Sequence, residues 1–261
     1  MKATRPTDLR ALLGQVQARP SKRLGQNFLI DENIARMSLD AAGIQTGDQV
    51  LEIGPGAGAL TEGLLERGAR VLAVEKDERL VELLRTRWAG REDVELRSAD
   101  ALDLPVAELL RGGAIRLVVS NLPYSAGTRI LVNLVTAEKP PERMVVMLQT
   151  EVAQRLMAKA GTPEYGLLAV WTQRLYLVER LRAVKASCFY PKPDVESTLL
   201  RLQLRSQPLA PLTDPAFHRN LTRWVFQHRR KQLARIFSSP PADWKPLGKE
   251  PADWLAGLGI P

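Results

Sequence analysis

The chain has 261 residues, 45% of them hydrophobic and 25% charged, which is enough for one large α/β domain and a smaller appendage. Its formal net charge of +8 favours a polyanionic partner, either nucleic acid or an acidic membrane surface. A single cysteine, Cys188, excludes an intrachain disulfide framework and a cysteine-based metal cluster, and no apolar run approaches the roughly 18 residues of a membrane span. The first twenty residues lack the apolar core of a signal peptide, so a cytoplasmic protein is expected. The two histidines, His218 and His228, show no metal-ligand spacing, and no metal is expected.

Residues 1–23 are basic, with Lys2, Arg5, Arg10, Arg19, Lys22 and Arg23 against Asp8 alone. A polar loop, GQNFLID, leads into a predicted helix over about 31–42. Strands and helices then alternate: strand 49–53, glycine loop 54–58, helix 59–68, strand 70–76 and helix 77–90. Further strands are predicted at 94–100, 117–121 and 143–149. These apolar runs barely alternate, as expected of strands buried on both faces in a mostly parallel sheet with helices on each side. After Thr150, EVAQRLMAK reads as a helix, whereas LLAVWTQRLYLV (167–178) and STLLRLQLR (197–205) read as an antiparallel pair of strands closing the sheet. The proline-rich RSQPLAPLTDP (205–215) reads as a linker, placing a first domain at 1–205 and a small helical, basic domain at 206–261. Between Phe217 and Phe237 the tail holds Arg219, Arg223, Arg229, Arg230, Lys231 and Arg235 and no acid.

The motif EIGPGAG (52–58) ends a strand and opens a helix. Glycines there let backbone approach a ligand closely, and the helix start offers unpaired N–H groups. Glu75 ends the next strand 21 residues beyond Gly54, the usual place for an acid that accepts hydrogen bonds from ribose hydroxyls. The spacing G-x-G-x-G is not the dinucleotide fingerprint, and no Gly-Lys-Ser/Thr follows as in a phosphate loop. The compact E-x-G-x-G-x-G, including Gly54 and Gly56, resembles motif I of S-adenosylmethionine-dependent methyltransferases. Asp100, at the end of the third strand, suits the exocyclic amine of a cofactor adenine or the cap of a following helix; Asp103 competes for either role.

Strand 117–121 ends in Asn121-Leu122-Pro123-Tyr124, and ligands bind outside such carboxyl ends in open parallel sheets. The tetrad resembles the (N/D/S)-P-P-(Y/F) motif of amino-methyltransferases acting on nucleic-acid bases, with leucine at the first proline position. The N6 lone pair of adenine is delocalised into its ring. Two acceptors aimed at its N–H groups, the Asn121 side-chain oxygen and the Leu122 carbonyl, localise that pair toward a methyl donor. Pro123 fixes the chain path, and Tyr124 offers a flat face to the extruded base, worth about 1–3 kcal/mol. Phe189 and Tyr190, before Pro191 and Pro193, offer a second ring opposite Tyr124, and the chemistry alone does not choose between them.

Taken together, KRLGQNFLID (22–31), VLEIGPGAGALT (50–61), Glu75, SNLPYS (120–125), FYPKPDVEST (189–198) and HRRKQL (228–233) resemble the bacterial small-subunit (16S) rRNA adenine N6,N6-dimethyltransferases, the kasugamycin-resistance (KsgA) family. The resemblance implies a Rossmann-like class I methyltransferase sheet of seven strands with a small all-α C-terminal domain. It implies dimethylation of two adjacent adenosines near the 3′ end of 16S rRNA in an immature 30S subunit; a monomer is expected. It assigns S-adenosylmethionine contacts to Asn27, Leu29, Gly54, Glu75, Asp100 and Asn121, and chooses Phe189 as the opposing aromatic. Lys22, Arg23, Arg223, Arg229, Arg230 and Lys231 are expected to contact RNA phosphates, with affinity falling as salt rises. Leucine at 122 is expected to leave room for the second methyl, an idea that fails if Leu122→Pro dimethylates at the normal product ratio. The alternative within the same architecture is the resistance-type 23S rRNA adenine N6-methyltransferase; FYPKPDVEST and the basic tail favour the small-subunit enzyme. A binding-only assembly factor would lack methyl transfer, and a nicotinamide-dependent oxidoreductase is disfavoured by the glycine spacing.

Overall fold

The computed structural model describes residues 2–238 and 241. The chain divides into two compact units between Leu209 and Ala210. In the first, α1 (Pro6–Gln15), β1 (Phe28–Leu29) and α2 (Glu32–Ala42) precede β2 (Gln49–Ile53), α3 (Thr61–Glu66), β3 (Arg70–Glu75), α4 (Glu78–Arg87), β4 (Val94–Ser98) and α5 (Val106–Leu109). There follow β5 (Leu117–Asn121), α6 (Gly127–Val135), β6 (Arg143–Gln149), α7 (Thr150–Met157), α8 (Leu167–Leu175), β7 (Tyr176–Val184), β8 (Phe189–Tyr190) and β9 (Ser197–Leu204).

Seven strands form one sheet in the order β4-β3-β2-β5-β6-β9-β7. The first five are parallel, and β9 pairs antiparallel with both β6 and β7. Runs such as Val50-Leu51 and Val118-Val119 are buried on both faces, as the lack of alternation predicts. The chain leaves β2 toward β3 and β4 on one side and later returns to pair β5 with β2 on the other. That reversal opens a crevice at the carboxyl ends of β2 and β5. β1 and β8 form a separate antiparallel pair.

One local reading of the sequence is corrected. LLAVWTQRL is helix α8, not strand; only Tyr176 onward is extended. Leu168, Ala169, Trp171 and Thr172 are buried at helical spacing, and the Gln173 amide donates to the carbonyls of Leu156 and Ala158, at 2.7 and 2.9 Å, tying α8 to the end of α7. The basic N-terminal stretch, in which the sequence suggested no element, contains α1, which starts with a proline and buries Leu9, Leu12 and Leu13. These pack with Phe28, Ala57, Leu80 and Leu83 in a third apolar cluster.

In the second unit, Asp214 caps α9 (Pro215–Gln227) by accepting from the Phe217 N–H, and α10 spans Leu233–Phe237. Trp224 packs edge-on against Phe237 with ring centroids 5.4 Å apart. The tail read as helical to residue 261 extends outside the described residues. Among those described, no helix is long and apolar enough to cross a membrane, and no three His, Cys, Asp or Glu gather in a metal-binding group.

Candidate active site

The glycine loop between β2 and α3 lines a cavity of about 1070 Å³, counted together with the open solvent at its mouth. Within this loop, Gly56 is the position that most needs to be glycine. Its φ is +62°, and an added Cβ would lie 2.9 Å from the Phe28 ring. Its N–H donates to Glu75 Oε2 at 3.2 Å, while Glu75 Oε1 accepts from the N–H groups of Lys76 and Asp77, both at 2.9 Å. Glu75 therefore joins the end of β3 to the loop. A carboxylate has about four lone-pair positions, so three are used and one, on Oε2, is left for a ligand hydroxyl. Burial raises the Glu75 carboxyl above its ordinary range despite these N–H groups. Gly56→Ala adds left-handed strain to displacement of Phe28, and is expected to cost about 2–4 kcal/mol of stability and weaken cofactor binding; chemical denaturation and a cofactor titration check both.

Glu52 opens the same motif and also lines the cavity. It is fully buried, and its Oε2 accepts from the Thr61 hydroxyl at 2.6 Å. Desolvation pushes its pKa up to about 8 from 4.5; the Thr61 hydrogen bond opposes the shift and the neighbouring Glu75 adds to it. The folded state thus holds a proton that the unfolded chain gives up above about pH 4.5. Stability is present in full below that value and falls as pH rises through 8, by up to tenfold in the folding constant per pH unit between. Denaturant titrations of the ligand-free protein from pH 5 to 8 should show the decline, and Glu52→Gln should reduce it, leaving the same-sign contribution of Glu75.

Asp100 caps no helix, contrary to one of its two sequence readings, and lines the cavity, as the other requires. Its Oδ1 accepts from the Leu102 N–H at 2.9 Å, anchoring a turn rather than a helix, and Oδ2 accepts from Lys76 Nζ at 2.5 Å. That hydrogen bond holds the Asp100 carboxyl below its usual range. Asp100 lines the cavity, whereas Asp103 is exposed and does not.

Across the cavity, Asn121 ends β5. Its Nδ2 donates to the Asn27 carbonyl at 2.8 Å. A carbonyl only accepts, so this bond fixes which way the amide points. The other end, Oδ1, is buried with no hydrogen-bond partner. Leaving such an acceptor unmade costs about 1–3 kcal/mol, and it marks a place built for a donor. Leu122 is buried and its N–H donates to the Met147 carbonyl at 3.2 Å. Leucine at this position therefore serves the β5–β6 junction, because proline would forfeit that bond; Leu122→Pro changes the sheet as well as the room beside the base.

The loop before β1 is packed onto the tetrad. The Gly25 carbonyl accepts from the Tyr124 N–H at 3.4 Å; Gly25 has φ +66°, and a Cβ there would fall 2.7 Å from the Ser125 nitrogen. Gln26, which the sequence did not single out, accepts from the Ser21 N–H and donates to Asp77 Oδ2 at 2.9 Å. Gly25 and Asn27 thus hold the Asn121–Tyr124 wall of the cavity, and Gln26 holds Asp77 beyond the end of β3. The one signal for Gln26 is its place inside that tripeptide.

Asn27, Leu29, Gly54, Gly56, Glu75, Asp100 and Asn121 all line the cavity, as do Leu122, Pro123, Tyr124 and Arg23. Lys22 is exposed outside it, and Arg223, Arg229, Arg230 and Lys231 are exposed in the second unit. The expectation that Phe189 faces Tyr124 across the cavity is not met. Phe189 is 2% exposed, pairs with Leu29 across β1 and β8, and belongs to the core cluster with Val119, Met147 and Leu199. Its neighbour Tyr190 is half-buried, with the Arg10 guanidinium 5.3 Å from its ring centroid.

The sequence profile described as ribosomal RNA adenine dimethylase matches residues 18–242. A protein of Opitutus terrae described as ribosomal RNA small subunit methyltransferase A is 43% identical, over 97% of this chain and 89% of its own. Proteins with the same description from Moorella thermoacetica and Geobacillus thermodenitrificans are 39% and 43% identical over 92% of this chain, covering 85% and 83% of theirs. Among solved structures, a dimethyladenosine transferase from Plasmodium falciparum matches with a TM-score of 0.74 and 25% identity, over 89% of both chains. A 23S rRNA methyltransferase, ErmE, matches with a TM-score of 0.64 and 25% identity, over 90% of this chain and 91% of the other.

Proposed function

Because the chain belongs to the ribosomal RNA adenine dimethylase family, we propose that it transfers methyl groups from S-adenosylmethionine to N6 of two adjacent adenosines near the 3′ end of 16S rRNA. The observation that carries this reading is Asn121 Oδ1, a buried acceptor without a donor in a cavity whose opposite wall carries Glu75 and Asp100. The small-subunit description shared by relatives 39% to 43% identical supports 16S rather than 23S rRNA as the substrate.

The residues present fit the cofactor. Glu75 has one acceptor position left for a ribose hydroxyl, and Asp100 can accept from the adenine amine once Lys76 shares it. Gly54 and Gly56 keep the floor free of side chains, while Asn27 and Leu29 close the side nearest β1. When bound, S-adenosylmethionine supplies an electrophilic sulfonium methyl. Asn121 Oδ1 accepts one N–H of the target amine and the Leu122 carbonyl the other, so the N6 lone pair is drawn out of the ring and held in one direction. Tyr124 stacks on the base and removes its stacked face from water. Orientation and desolvation carry the rate without a dedicated strong base. Phe189 acts from behind, holding β1 and hence Leu29 and Asn27 in place.

In this reading residues 1–205 form the methyltransferase domain and 206–261 an RNA-binding domain. Lys22, Arg23, Arg223, Arg229, Arg230 and Lys231 contact phosphates of 16S rRNA within an immature 30S particle. The enzyme works as a cytoplasmic monomer. The test is methyl transfer from labelled S-adenosylmethionine to unmodified 30S particles, protein-free 16S RNA and protein-free 23S RNA, followed by nucleoside analysis. N6,N6-dimethyladenosine in 30S particles is expected. Product in 23S RNA alone would move the chain to the large-subunit enzymes, and 30S binding without transfer would make it a binding factor.

A further inference from the structure

Tyr124 sits in the turn between β5 and α6, outside any regular element. Its ring lines the cavity and is held at two ends. At the backbone end, its N–H meets the Gly25 carbonyl. At the far end, its hydroxyl lies within hydrogen-bonding distance of the Ser197 hydroxyl. Ser197 is 0% exposed and opens β9, where it pairs with Gln149 of β6 on one side and Val184 of β7 on the other. Its backbone is therefore held by strand pairing on both sides, at a fully buried position. Burial raises the Tyr124 pKa, so the hydroxyl stays protonated at working pH and available for this bond.

We propose that Ser197 is a positioning residue for adenine methylation, pinning the Tyr124 hydroxyl to the sheet so that the ring presents one fixed face to the target base. The proposal rests on the reading of Tyr124 as the stacking platform. A phenyl ring at this position keeps nearly all the stacking area, so area alone predicts no loss from Tyr124→Phe. Pinning predicts one. An unpinned ring tilts about its two side-chain torsions, and a base stacked on it no longer holds N6 in line with the acceptors.

The experiment compares Ser197→Ala, Tyr124→Phe, the double variant and Tyr124→Ala for single-turnover methylation of unmodified 30S particles, with cofactor Kd measured alongside. Ser197→Ala and Tyr124→Phe remove the same bond from opposite ends. Each is expected to lower the rate by about 3- to 10-fold, with cofactor Kd unchanged and the ratio of monomethyl to dimethyl product raised. The double variant should be no slower than either single one. Losses that multiply in the double variant, or a wild-type rate for Tyr124→Phe, would overturn the pinning role. If Ser197→Ala fails to fold, Tyr124→Phe alone still decides. Tyr124→Ala separates the two levels: a wild-type rate there removes the stacking reading itself, whereas its loss beside an unaffected Tyr124→Phe removes only the role of Ser197.

Discussion

Asn121→Ala is expected to slow methyl transfer by about 10²- to 10³-fold, the size found when one preorganised group is removed from the place where charge develops. Asn121 spends its Nδ2 on the Asn27 carbonyl and so can offer only Oδ1 to a substrate. Alanine removes the acceptor and also releases the loop before β1, so a modest rise in cofactor Kd, within about tenfold, should accompany the loss of rate. Asn121→Asp keeps an oxygen toward the base but sets a carboxylate against the Asn27 carbonyl. It should lose more cofactor affinity than alanine does. Single-turnover rates on 30S particles, with the cofactor Kd of each variant measured separately, distinguish the two effects. A rate within a few-fold of wild type for Asn121→Ala would mean that the amine is activated elsewhere.

Glu75→Ala is expected to weaken S-adenosylmethionine binding by roughly 10- to 100-fold, the value of one charge-assisted hydrogen bond. The estimate follows from the lone-pair count: Gly56, Lys76 and Asp77 take three positions and leave one. Alanine also strands those three N–H groups, so the loop should lose stability together with affinity. Glu75→Gln keeps one oxygen acceptor and should lose about tenfold. Because burial raises this carboxyl and a ribose hydroxyl favours its ionised form, cofactor affinity of the wild type should fall as pH is lowered. Calorimetric titration at several pH values measures all three. Unchanged affinity in Glu75→Ala would place the ribose elsewhere.

The parallel sheet was legible because strands buried on both faces cannot alternate, and the runs at 49–53, 70–75 and 117–121 do not. Gly56, Glu75 and Asn121 were legible because the chemistry needs a small residue, an acid and an amide at strand ends, and few other residues there could serve. Helix α8 was not. LLAVWTQRL is apolar and partly β-branched, a composition shared by strands and buried helices, and what decides is the bond from Gln173 to the end of α7. α1 was hidden because the basic residues in and around it drew a reading as surface charge, although Leu9, Leu12 and Leu13 carried the helical spacing. Phe189 shows the same limit at the site. The sequence places two aromatics side by side on a short extended segment, and adjacent residues of a strand point to opposite faces. Which of them enters the core depends on pairing with Leu29, 160 residues earlier. The link from Asn121 to Asn27, 94 residues apart, is equally invisible to local pattern.

The most direct measurement is a crystal structure of the protein with S-adenosylhomocysteine and an RNA stem-loop carrying the target adenosines. An extruded adenine is expected on Tyr124 with N6 about 3 Å from Asn121 Oδ1, and the cofactor ribose on Glu75. An adenine bound away from Asn121, or a cofactor that leaves Glu75 uncontacted, would contradict these roles.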